Sequence, residues 1–155
     1  MRRKENEITD RAVIDEILSG SQVCRIAMVD GDKPYMVPMN YGYKDNTVYF
    51  HSSPSGKKIE LLKKNNRVCF ETEMPSQIIK KEISCEWSAK YRSVIGYGTV
   101  EFITNPEDKR EGLDIIMAHY GKRLGSIYPD TRIRKVLVLK LKIDEITGKQ
   151  STDWK

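Results

Sequence analysis

The chain has 155 residues, with 27 Lys and Arg against 22 Asp and Glu, giving a formal net charge of +5. Apolar residues make up 39% and charged residues 32%, which excludes collagen-like, low-complexity and disordered classes and fits one globular domain over 1–155. No apolar run approaches the roughly 20 residues of a membrane span, and the opening 1–7 leads into no apolar h-region, so the expected address is the cytoplasm.

The first periodic element is a helix over 10–20. Asp10 is its expected cap, Val13, Ile14, Ile17 and Leu18 form its apolar stripe, and Gly20 is its expected stop. Residues 1–9 before it read as a flexible arm. A strand over 22–29 follows, then the turn chemistry of 30–34 and a second strand over 35–43. Pro38 confines that second strand to an edge or a bulge. Residues 44–46 turn into a third strand, 47–52, rich in β-formers.

A short helix is expected over 57–64, a fourth strand over 67–74, and a weakly patterned stretch over 75–90 anchored by Trp87 as a core or interface aromatic. The long strand over 91–104 carries Gly96 and Gly98, where strands bend at barrel corners. Asn105, Pro106, Glu107 and Asp108 open a helix running to Tyr120, with Gly121 as its stop. A final strand, 132–146, sets Leu137, Leu139, Leu141 and Ile143 on one face, with 147–155 as a tail. Six strands and about three short helices predict a mostly-β, largely antiparallel fold, and the bends favour closure into a small barrel.

Cys24, Cys69 and Cys85 are odd in number and lack C-x-x-C spacing, and His51 and His119 are the only histidines, so no metal site is expected. His119 reads as a partly exposed surface histidine rather than a ligand. The basic residues are dispersed among acids without interleaved aromatics, the pattern of a solvated surface rather than a nucleic-acid face.

One constellation carries chemistry. From Tyr49 the chain runs through Phe50, His51, Ser52, Ser53, Pro54, Ser55 and Gly56 to Lys57 and Lys58. A strand thus delivers an imidazole and hydroxyls to a glycine loop that opens a helix with two ammonium groups in its first turn. Lysines there oppose the helix dipole, which leaves two readings open: a solvated pair, or a site whose bound anion reverses that cost. His51 is either a surface histidine or, facing away from Val48 and Phe50, a proton donor.

Four segments in order, 35–43, 49–58, 66–71 and 91–98, resemble the pyridoxamine-phosphate-oxidase-related flavoproteins, particularly their 5-nitroimidazole-resistance branch. The resemblance implies a Greek-key split β-barrel homodimer with FMN at the subunit interface. It implies that Met36, Val37, Pro38, Met39 and Asn40 line the flavin ring, and that His51 and Ser52 lie on a second flavin strand. Lys57 and Lys58 would then hold the phosphate, with Arg92 and Ser93 meeting the flavin from the other side. The implied activity is reduction of small nitro compounds, with His51 as the catalytic residue. Alternatives are a pyridoxamine-phosphate oxidase and a non-catalytic flavin or haem carrier. No nucleic-acid or membrane partner is expected.

Overall fold

A computed structural model describes residues 3–122, 125–152 and 154. These form ten strands and four α-helices. The strands are β1 (Glu7–Ile8), β2 (Cys24–Asp30), β3 (Lys33–Met39), β4 (Tyr41–Lys44), β5 (Thr47–Ser52), β6 (Arg67–Glu73), β7 (Gln77–Ile79), β8 (Ser88–Lys90), β9 (Arg92–Ile103) and β10 (Leu137–Gln150). The helices are α1 (Arg11–Gly20), α2 (Lys57–Lys64), α3 (Pro106–His119) and α4 (Asp130–Lys135).

Eight strands make one antiparallel sheet in the order β3-β2-β6-β9-β10-β5-β4, with β1 on the far end of β10. The sheet is an open path, not a ring of hydrogen bonds, and the expected count of six strands is too low. Its two edge strands are nonetheless one stretch of chain interrupted only at Asn40. Edges joined through a single residue force the sheet to curl back on itself. Periodicity alone reads 35–43 as one strand, because the break changes partners and not the local pattern.

The irregularity between β9 and β10 sits at one place: β10 slips register between Ile143 and Glu145, a bulge at Asp144, and Gly98, paired there with Ile143, runs so close that a Cβ on it would lie 2.1 Å from the Lys142 carbonyl oxygen. Only glycine fits there. The curl encloses Ile17, Leu18, Ile26, Tyr41, Val48, Phe50, Phe70, Leu139 and Leu141, all buried.

Local signals explain most helix starts. Asp10 accepts from the Ala12 amide at 2.9 Å and caps α1, and Asn105 accepts from the Glu107 and Asp108 amides with Pro106 behind it in α3. Gly121 takes φ +86 just past α3, as a helix stop requires. Gly20 instead stays helical, and Ser21 closes α1 through its hydroxyl and amide on the Ile17 carbonyl. The β4–β5 hairpin turns on Asp45 and Asn46, at φ 49 and 57, the mirror-image turn that matches strand twist.

Several expectations change. Residues 132–135 belong to helix α4 rather than to the last strand, which runs on to Gln150 instead of ending at Ile146. Residues 7–8, within the expected flexible arm, pair with Gly148 and Lys149 of the expected tail. Residues 1, 2, 153 and 155 of that arm and tail lie outside the described residues. The stretch 77–90 is a two-stranded hairpin, β7–β8, apart from the main sheet. Trp87, on this arm, is 49% exposed and donates its indole N–H to the Lys81 carbonyl, so it is not a core residue.

His119 is partly exposed, as expected, and held in place: its Nε2–H donates to the Ser21 carbonyl at 2.7 Å and its ring packs 4.4 Å from that of Tyr41. This contact ties α3 to the end of α1. Close approach holds the rest of α3: a Cβ on Gly42 would sit 2.6 Å from the Ile115 backbone, and one on Gly112 2.9 Å from Val138 Cγ1. The helix therefore buries the outward Val138 face of β10 within the same chain. No helix among the described residues is long and apolar enough to cross a membrane.

Candidate functional site

β5 sets the site's orientation. Val48 and Phe50 are fully buried inside the curl, so alternation turns Tyr49 and His51 outward, and His51 is exposed. Tyr41 pairs with Phe50, which brings Asn40, one residue beyond the ladder, to the end of the strand that carries His51. Ser52 is half-buried, and the 53–56 loop leads directly into α2.

The loop ends at Gly56, with φ 115 and ψ 164, a backbone conformation essentially restricted to glycine. No side chain caps α2, so its first amides face outward with the positive end of the helix dipole. The two lysines on that turn are not equivalent. Lys57 Nζ lies 2.7 Å from Asp30 and 4.9 Å from the centroid of Tyr35. That hydrogen bond raises the Lys57 pKa and lowers that of Asp30. Lys58 is half-buried, its pKa lowered by burial, and it has no ion-pair or hydrogen-bond partner among the described residues. A half-buried ammonium without a counter-charge beside uncapped amides is chemically suited to a phosphate dianion.

The expected flavin strand is β3, the edge of the sheet. Its alternation exposes Met36, Pro38 and Asn40, leaves Val37 half-buried and sinks Met39 into the core. Met36, Ala27, Cys69 and Tyr97 form one row across β3, β2, β6 and β9 on the outward sheet face. On this face Val29, Met36, Ile95 and Tyr97 are 45–59% exposed. An apolar sheet face left open in this way is the mark of an interaction surface.

Arg92 and Ser93 stand elsewhere. Arg92 bonds to Glu16 at 3.1 Å and to Gln150 at 3.0 Å, with its guanidinium 4.7 Å from the Trp154 ring. The β10 register sets His51 against Val138 and Arg92 against Gln150, near opposite ends of that strand. The path between them is roughly 40 Å along the strand. One chain brings Asn40, His51 and Ser52 to a common end, sets the start of α2 beside Asp30 and Tyr35, and leaves Arg92 and Ser93 at the far end of β10.

A pocket of about 400 Å³ lies directly beyond His51, Ser52 and Ser53. Leu113 of α3, Ile133 and Val136 form its apolar part, and Tyr128, Arg132 and Lys135 its polar part. Tyr128 is fixed there by donating to Asp114 at 3.0 Å. Sequence reading missed Arg132 and Lys135: they belong to a basic run indistinguishable from a solvated surface, and only the turn of α4 carries them to His51. A larger cavity of about 540 Å³, between α3 and α4, holds none of the expected residues and is lined by Lys109, Arg110, Asp130 and Arg134. Its charges are largely spent, since Arg110 pairs with Asp130 and Lys109 donates to the Ile133 and Val136 carbonyls.

Solved structures that align over nearly the whole chain include the following three. A candidate 5-nitroimidazole antibiotic resistance protein of Bacteroides thetaiotaomicron VPI-5482 is 40% identical, with a TM-score of 0.83 over 92% of this chain and 85% of its own. An FAD- and haem-binding protein of Mycobacterium smegmatis is 23% identical, with a TM-score of 0.85 over 96% and 75%. A flavocytochrome of Azotobacter vinelandii is 20% identical, with a TM-score of 0.81 over 98% and 72%. The last two share the fold. Comparison with curated proteins finds no match. The pyridoxamine 5'-phosphate oxidase family model matches residues 10–150, and with the 40% identical relative this shows that the chain belongs to that family.

Proposed function

We infer that this protein is a cytoplasmic flavoprotein, a split-barrel homodimer that binds FMN between its subunits and reduces small nitro compounds. The observation that carries the reading is the start of α2, four loop residues beyond the strand bearing His51, where a half-buried Lys58 with no partner among the described residues meets uncapped helix amides. A phosphate would satisfy both. Membership of the oxidase family and the 40% identical resistance-type relative support flavin as the molecule carrying it.

The open sheet face supports a second copy as partner. The burial of Val138 under α3 removes one motive for dimerisation, since both faces of that part of β10 are covered within one chain. The row Met36–Ala27–Cys69–Tyr97 supplies a better one. A two-fold partner packed there would also supply an Arg92 and Ser93 that one chain leaves distant from its own His51.

Flavin, once bound, supplies electrons in pairs to an acceptor. His51, exposed and free of internal hydrogen bonds among the described residues, donates a proton as negative charge develops on the reduced nitro oxygens. The experiment is an absorption spectrum of freshly purified protein, followed by reoxidation of the dithionite-reduced protein with a 5-nitroimidazole. Flavin bands and rapid reoxidation are expected. A colourless protein that takes up no added FMN overturns the reading. The FAD- and haem-binding protein of similar fold suggests a second reading, in which His51 would hold a haem, because His119 is already engaged with Ser21. A haem Soret band in the same spectrum identifies that case.

A further inference from the structure

The pocket beyond His51 has an unusual charge balance. Arg132 and Lys135 line it, and neither has an ion-pair or hydrogen-bond partner for its side chain among the described residues. No carboxylate lines it: on the two helices beside it, Asp114 accepts from Tyr128 and Asp130 pairs with Arg110. The two cations sit in the last turn of α4, where the helix dipole favours them. That preference accounts for positive charge at the helix end. It does not account for both side chains bordering a cavity with the Ser52 and Ser53 hydroxyls on one wall and Leu113, Ile133 and Val136 on another.

The combination describes an amphipathic guest. The apolar wall offers burial to a ring or short hydrocarbon, while a guanidinium, an ammonium and hydroxyls offer charge-assisted hydrogen bonds to an acid group. His51 borders the same cavity, so a guest seated there lies against the imidazole. We propose that Arg132 and Lys135 form an anion-recognition subsite that selects acceptors carrying a carboxylate and presents their apolar body to His51. This assigns a substrate class to the site and rests on the flavin reading only for the chemistry at His51; the charge selectivity of the pocket is measured separately.

The test uses the purified protein, with whatever cofactor it holds, and isothermal titration with 4-nitrobenzoate and its neutral counterpart 4-nitrobenzamide. The expected result is about tenfold or more tighter binding of the acid in the native protein. In Arg132→Gln and Lys135→Met the preference collapses toward unity while binding of the amide is unchanged. Both side chains are exposed, so the fold should survive. Lys135→Glu provides a reversal arm, in which the amide is preferred.

Equal binding of acid and amide by the native protein overturns the proposal, as does a preference that survives both substitutions. Variants that weaken FAD far more than FMN without touching the acid preference also overturn it, by assigning the pocket to a cofactor's second phosphate. A protein that is colourless, takes up no added FMN and still discriminates keeps this subsite and removes the flavin reading. A flavin-loaded protein that does not discriminate removes the subsite alone.

Discussion

The ammonium of Lys57 lies 2.7 Å from the carboxylate of Asp30, across the gap between α2 and the end of β2. The adjacent Lys58 has no such partner among the described residues. Two neighbouring lysines that look interchangeable in the sequence are therefore assigned different work by the fold.

Lys58→Ala should weaken FMN about tenfold or more while leaving riboflavin nearly unchanged, because only FMN carries the dianion. Lys57→Ala should do less, since Asp30 already neutralises that charge. Fluorescence titration with both flavins checks the order, and a larger effect at Lys57 would place the phosphate on the other side of the turn. The pH dependence has a definite sign. Burial lowers the Lys58 pKa in the free protein, so its charge and the FMN affinity should fall, as pH rises, at a pH below that of an ordinary lysine.

The sheet face makes a prediction about assembly. Met36→Glu and Tyr97→Glu place charge on an apolar row that stands exposed among the described residues. Each should convert a dimer to a monomer on size-exclusion chromatography with light scattering, with the monomer still folded by circular dichroism. A dimer indifferent to both substitutions would locate the interface elsewhere.

The glycines at the α3 contact, Gly42 beneath it and Gly112 within it, should differ in tolerance. A Cβ at Gly42 meets the Ile115 backbone at 2.6 Å, which yields only if the helix moves, whereas one at Gly112 meets a Val138 methyl at 2.9 Å, which can shift. Gly42→Ala should therefore destabilise more than Gly112→Ala, with overpacking of this kind costing about 1–3 kcal/mol. Denaturant melts of the two variants measure the difference.

His51→Ala separates binding from turnover. The side chain points out of the core, so the variant should fold and retain flavin with modestly changed affinity. Reoxidation of the dithionite-reduced protein by a nitro compound should slow by about 10²–10⁴ if proton donation is its role. Unchanged reoxidation would take His51 out of the chemistry, and lost flavin would make it a cofactor ligand.

What the sequence alone determined is the set of features written in neighbouring residues. The Asp10 cap, the Asn105-Pro106 start, the Gly121 stop and the strand over 47–52 are all found as expected, because caps, turns and alternation act within a few residues. The outward turn of His51 follows from the same alternation. Only the tertiary structure decided the break at Asn40, the α4 turn at 130–135, the pairing of residues 7–8 with the end of β10, and the covering of Val138 by α3. It also decided that Lys57, not Lys58, pairs with Asp30, and that Arg132 and Lys135 share a pocket with His51. Each depends on register or packing between segments distant in the chain, such as Asp30 with Lys57 or His51 with Arg132. Local periodicity carries no information about which distant side chain will close such a contact.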